Sequence, residues 1–70
     1  MKLTINGQLK LINNSESSLS LSKAIKKLGY HPKSVVVELN GLIINPKRWE
    51  ATGLKENDNL EIVTIVGGGA

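Results

Sequence analysis

Apolar and polar residues alternate at the start of the chain, with Leu3 and Ile5 interleaved among Lys2, Thr4 and Asn6. A period of two places both aliphatic side chains on one face of a strand. Asn6-Gly7 ends that strand, because both residues accept the positive φ angles of a type I′ turn, whose twist matches two paired antiparallel strands. Gln8 to Ile12 is therefore expected to return as a second strand, with Leu9 and Leu11 facing inward. Asn13-Asn14-Ser15-Glu16-Ser17-Ser18 follows as a loop of side chains that bond their own backbone.

The period then changes. Leu21, Ala24, Ile25 and Leu28 fall at i, i+3, i+4 and i+7, one stripe of an α-helix, and Lys23, Lys26 and Lys27 take the wet side. Ser20 suits the N-cap, Leu19 and Ala24 occupy the two positions of a hydrophobic staple, and Gly29 can adopt the left-handed conformation that stops the helix. Ser34 to Leu39 reads as a third strand, with Val35, Val37 and Leu39 on one face and Val36 and Glu38 on the other. Asn40-Gly41 turns it back into a short fourth strand at Leu42-Ile43-Ile44. Asn45-Pro46 suits an N-cap and first position for one helical turn, from which Trp49 should fold inward. After a polar loop at 55–58, Asn59 to Val66 forms the last strand, with Leu60 and Ile62 inward.

The predicted order is β-β-α-β-β-β, an α+β fold with one main helix on a mixed sheet of four or five strands. One helix covers one face. The covered face is expected to hold Leu3, Ile5, Leu9, Val35, Val37, Leu60 and Ile62 with Ile25 and Leu28 from the helix. Val36, Val63 and Ile65 then lie on the uncovered side, where they form either a contact surface or isolated exposed apolars, or else sit beneath the loop after the fourth strand.

Composition narrows what such a fold can do. Seventy residues make one small domain with a thin margin over conformational entropy and no room for a large active site. The core must be almost wholly aliphatic, since Trp49 and Tyr30 are the only aromatics. Without cysteine there is no disulfide, thiolate metal site or sulfur nucleophile on the chain. The net charge of +3 comes mainly from lysine. A helix flank of Lys23, Lys26 and Lys27 with Lys47-Arg48 could suggest a basic nucleic-acid-binding module, but a single arginine and no interleaved aromatics favour a solvated lysine face. His31 lacks a second histidine or a carboxylate pair, and Asp58 and Glu61 read as turn and surface residues rather than metal ligands. There is neither a signal-peptide pattern nor an apolar run of membrane-spanning length, so the expectation is a cytoplasmic protein without membrane or nucleic-acid partners.

Gly67-Gly68-Gly69 directly after the last strand serves no packing purpose. Glycine is needed where a backbone enters a narrow channel, so such an end can thread a carboxylate into another protein's active site. Taken alone, these residues are explained equally well by terminal fraying or a linker.

With the tail, several segments form a pattern: Lys2 to Gly7, Ala24-Ile25-Lys26-Lys27-Leu28-Gly29, Val36-Val37-Glu38-Leu39-Asn40-Gly41 and Pro46-Lys47-Arg48-Trp49. Leu54, Asn57-Asp58-Asn59-Leu60-Glu61-Ile62-Val63 and Ile65-Val66-Gly67-Gly68-Gly69 complete it. In this order and spacing they resemble the ThiS-type sulfur carriers, across essentially the whole chain. Asn57-Asp58 replaces the Gly-Asp usual in that family, and Ala70 extends beyond its glycine end.

The resemblance implies a ubiquitin-like β-grasp domain over residues 1–66 and a flexible glycine tail over 67–70. It also implies that the chain is a protein co-substrate rather than an enzyme and binds no cofactor of its own. A ThiF-like adenylating enzyme would use ATP to activate the carboxylate of Gly69, provided Ala70 is removed. Sulfur from a donor such as a cysteine desulfurase would convert it to a thiocarboxylate, which delivers sulfur to thiazole synthase for the thiazole ring of thiamine. Gly67, Gly68, Val36, Val63, Ile65 and Val66 would contact the partners. The molybdopterin-synthase small subunit shares the implied fold and end, but Thr64-Ile65-Val66 lacks the proline-containing segment it tends to carry there. A ubiquitin-like protein modifier is a third possibility, since an activated carboxylate can acylate lysine.

Overall fold

The computed structural model describes residues 1–12 and 18–65. Its elements are β1 (Lys2–Ile5), β2 (Gln8–Leu11), β3 (Leu19–Ser20), α1 (Leu21–Lys27), β4 (Val35–Leu39), β5 (Leu42–Ile43), β6 (Gly53–Leu54) and β7 (Asn59–Thr64), with single 3-10 turns at Pro32–Ser34 and Pro46–Arg48. The main sheet runs β2-β1-β7-β4-β5. Its central pair, β1 and β7, is parallel and every other neighbour is antiparallel, giving the mixed sheet and single main helix expected of a β-grasp domain.

Local chemistry sets the boundaries. The Ser20 hydroxyl accepts from Lys23 N at 3.1 Å and starts α1, and Gly29 at φ +86 follows its end. Both Asn-Gly turns adopt positive φ at each central residue, Asn6 and Gly7 and then Asn40 and Gly41. Asn57 also lies at positive φ, so it meets the conformational demand that glycine would otherwise meet there. The core joins Leu21, Ala24 and Ile25 of the helix to Leu3, Ile5, Val35, Val37, Leu60 and Ile62 of the sheet, all buried. Trp49 is buried as well, its indole N–H donating to Ile44 O at 3.0 Å.

Three expectations need correction. Leu9 and Leu11 do not face inward; they are 65% and 81% exposed. The two-residue Asn6-Gly7 turn pairs Ile5 with Gln8, so Thr4 faces Leu9 and Lys2 faces Leu11. Side chains of a cross-strand pair share a face, which sends both leucines to the side opposite Leu3 and Ile5. The buried residue here is Ile12, just beyond β2, whose N–H donates to Met1 O at 2.8 Å. Secondly, β3 and β6 form a separate two-stranded sheet that buries Leu19 and Leu54 and fixes the entry to α1. Two-residue strands carry no readable period. Thirdly, the last strand ends at Thr64 rather than at Val66, which lies outside the described residues.

Candidate functional site: the open sheet face and the tail exit

The helix covers one side of the sheet, and the register assigns the other. Val36 pairs with Val63 and Glu38 with Glu61 across β4 and β7, while Ile43 pairs with Glu38 from β5. These residues alternate with the buried Val35, Val37, Leu60 and Ile62, so they project from the uncovered face. Val63 is 59% exposed and Val36 38%, less because it lies beside the groove described below. Ile65, one step beyond β7, is also exposed, and its N–H donates to Ser34 O at 2.7 Å. The face brings Val36, Val63 and Ile65 together as the sequence predicts and adds Ile43, whose placement required the β4–β5 register.

A groove of about 780 Å³ adjoins the point where the chain leaves the sheet. Val36, Ile65 and the largely buried Trp49 contribute its apolar lining, with Lys26, Lys33 and Lys47 and one acid, Glu50, around it. Its local architecture comes from the Pro46–Arg48 turn, where Asn45 Oδ1 accepts from Lys47 N at 2.9 Å and Trp49 is directed inward. An apolar floor with a basic rim suits a protein surface better than a reaction centre. Among the described residues there is no group of three metal-ligating side chains, and no helix is long and apolar enough to cross a membrane.

Glu38 and Glu61 stand directly opposite each other, and neither joins an ion pair among the described residues. Like charges at cross-strand positions are destabilising. Asp58 has a structural role: its Oδ2 accepts from Lys55 N at 2.7 Å and its Oδ1 from Asn40 Nδ2 at 3.1 Å. His31 is exposed at the start of the Pro32–Ser34 turn, and among the described residues it has no side-chain partner of the kind a catalytic base requires. The remaining predicted site residues, Val66, Gly67, Gly68 and Gly69, lie with Ala70 outside the described residues.

The hairpin asparagines do more than the sequence pattern reveals. Asn6 Oδ1 accepts from Ile62 N at 2.7 Å and its Nδ2 donates to Ile62 O at 3.1 Å, so a side chain extends the β1–β7 ladder. Asn40 Oδ1 accepts from Asn59 N at 2.9 Å on the other flank of β7. The strand that leads to the tail is thus clamped from both sides.

Comparison with known proteins agrees with this architecture. Residues 3–69 match the model of the ThiS family. A solved thiamine biosynthesis protein, ThiS from Geobacter metallireducens, superposes with a TM-score of 0.82 at 31% identity, covering 99% of this chain and all of that one. The uncharacterized protein ycf40 of Trieres chinensis is 38% identical over 93% of this chain and 85% of its own length. A thiazole synthase of Magnetococcus marinus is 33% identical over 99% of this chain, which spans 20% of that longer protein. With the family pattern extending through Gly69 and the β-grasp topology in place, the chain belongs to the ThiS family of ubiquitin-like sulfur carriers.

Proposed function

We propose that this chain carries sulfur as a thiocarboxylate on Gly69 for construction of the thiazole ring of thiamine. A carboxylate is a poor electrophile. A ThiF-like enzyme therefore joins the Gly69 carboxylate to the AMP part of ATP, releasing pyrophosphate, and the mixed anhydride supplies a leaving group. A persulfide sulfur attacks the acyl carbon and AMP departs. Cleavage of the resulting S–S bond by a thiol leaves the thiocarboxylate on the chain and a disulfide on the donor side. The thiocarboxylate sulfur is then the nucleophile delivered to thiazole synthase. The chain has no cysteine thiol to hold sulfur, which supports attachment at Gly69.

The observation that carries this reading is the family match through Gly69 on a domain whose exposed apolar residues lie beside the exit to that segment. Val36, Val63, Ile65 and Val66 supply the docking area, while Gly67 and Gly68 let a narrow backbone enter the partner's channel. The form that reacts ends at Gly69, because Ala70 would place a methyl group and another peptide unit where a glycine carboxylate is required. Chains ending at Gly69 and at Ala70 are given to the activating enzyme with ATP and a persulfide donor, and the C-terminal peptides are weighed. Sulfur should replace oxygen efficiently on Gly69 and poorly on Ala70. Equal conversion would overturn the requirement for Gly69, and conversion of neither by an active enzyme would overturn the carrier reading.

A further inference from the structure

Among the described residues, β2 forms one edge of the main sheet with no strand beyond it. Met1 N donates to Ile12 O at 3.0 Å and Ile12 N to Met1 O at 2.8 Å, so these two residues form a hydrogen-bonded antiparallel pair. Bonded and non-bonded pairs alternate along such a ladder. The register Lys2–Leu11, Leu3–Lys10, Thr4–Leu9 therefore makes Leu11 and Leu9 the non-bonded positions. Their N–H and C=O groups point away from β1, and β2 is the outermost strand on that side. The side chains of the same two residues are the exposed leucines of the open face.

Proteins usually blunt such an edge with charge, bulges or cover. Here the device is Lys10 on a strand of only four residues, which opposes pairing with a second lysine-bearing strand and has no acid beside it. Beside it runs a shallow groove of about 300 Å³ lined by Leu11, Ile12, Lys27 and Leu28. A second copy of the chain is a poor occupant, because antiparallel pairing centred on Lys10 would oppose that residue to its own counterpart.

We propose that the β2 edge receives an extended segment of another protein as a sixth strand. Aliphatic side chains of that segment pack on Leu9 and Leu11, and an acidic side chain lies opposite Lys10. This is strand addition, in which backbone bonds supply affinity and side chains supply choice. It extends the carrier reading without depending on the chemistry at Gly69. Leu11 pairs with Lys2 at the start of β1, and the Thr4–Asn59 pairing places it near the beginning of β7, whereas the tail segment follows the far end of that strand. The separation is on the order of 20 Å along the sheet and about 10 Å across it. A segment held at β2 thus leaves the exit end of β7 clear for an enzyme.

The test is an amide-shift titration of the full chain with a blocked synthetic peptide of alternating valine and threonine carrying one central glutamate, and with its lysine counterpart. Saturable shifts should centre on the Leu9 and Leu11 amides, with the glutamate peptide binding at least fivefold more tightly. Lys10→Glu should reverse that preference. Leu11→Pro, which removes an outward N–H and none of the bonds to β1, should abolish the shifts; if proline disturbs the hairpin, the charge reversal decides alone. Shifts centred on Val36 and Val63, no shifts at millimolar peptide, or an unchanged preference in Lys10→Glu would overturn the proposal. So would concentration-dependent shifts at Leu9 and Leu11 without peptide, which would make a second copy the occupant.

Discussion

Asn6 illustrates how much one side chain does in a domain this small. Its backbone takes φ 51 in the turn, and its amide completes two hydrogen bonds to the backbone of Ile62. The two roles separate by substitution. Asn6→Gly keeps the turn and loses the bonds, leaving partly buried groups of Ile62 without their partner, and should cost about 1–3 kcal/mol. Asn6→Ala loses the same bonds and also places a Cβ in the left-handed region, adding about 1 kcal/mol. Urea titration of both variants checks this ordering, and an Ala variant no less stable than the Gly variant would contradict it. The turn was legible because Asn-Gly is a local signal. The bridge to Ile62 was not, because nothing local indicates that β7 will lie beside β1.

At the scale of elements, local punctuation carried most of the assignment. Ser20, Gly29, Asn40-Gly41 and Asn45-Pro46 stop or start elements where their backbone chemistry requires. The inward residues of β1, β4 and β7 followed from simple alternation. In β2 the leucines suggest an inward face by type, but the two-residue turn fixes the opposite parity. The β3–β6 pair leaves no local signal, because each strand has only two residues and their partnership joins distant segments. These assignments separate in stability measurements. Ile25→Ala or Leu60→Ala should cost about 2–5 kcal/mol, since each opens a cavity in the buried layer. Leu9→Ser and Leu11→Ser should stay within about 0.5 kcal/mol, the range of exposed positions. A loss above about 2 kcal/mol for either leucine would restore the inward assignment.

Across the whole molecule, the two sides of the sheet differ in what covers them. The helix side is closed by aliphatic packing, whereas the open side keeps Val36, Val63 and Ile43 exposed beside Glu38 and Glu61, which stand opposite each other. Glu61→Gln should therefore stabilise the domain by about 0.2–1 kcal/mol by removing a like-charge pair, readable as a higher urea midpoint. An unchanged or lower midpoint would show that the carboxylates do not repel one another. Val63→Asp should leave folding intact yet weaken binding to the activating enzyme by more than tenfold, because it puts a charge into an apolar contact. Calorimetry decides, and undiminished affinity would move the interface off this face. The face was partly legible from residues of the wrong parity, whereas the groove beside Ile65 depends on the turn that carries Trp49 and has no sequence period.

Sulfur carriage itself is tested most directly by isotope. A persulfide donor bearing labelled sulfur is combined with ATP, the activating enzyme, the chain ending at Gly69, and thiazole synthase with its other substrates, and the label is followed by mass spectrometry. Label should appear first in the C-terminal peptide of this chain and then in the thiazole product, with neither labelled when ATP is withheld. Labelled thiazole appearing while the C-terminal peptide remains unlabelled throughout would contradict sulfur carriage by this chain.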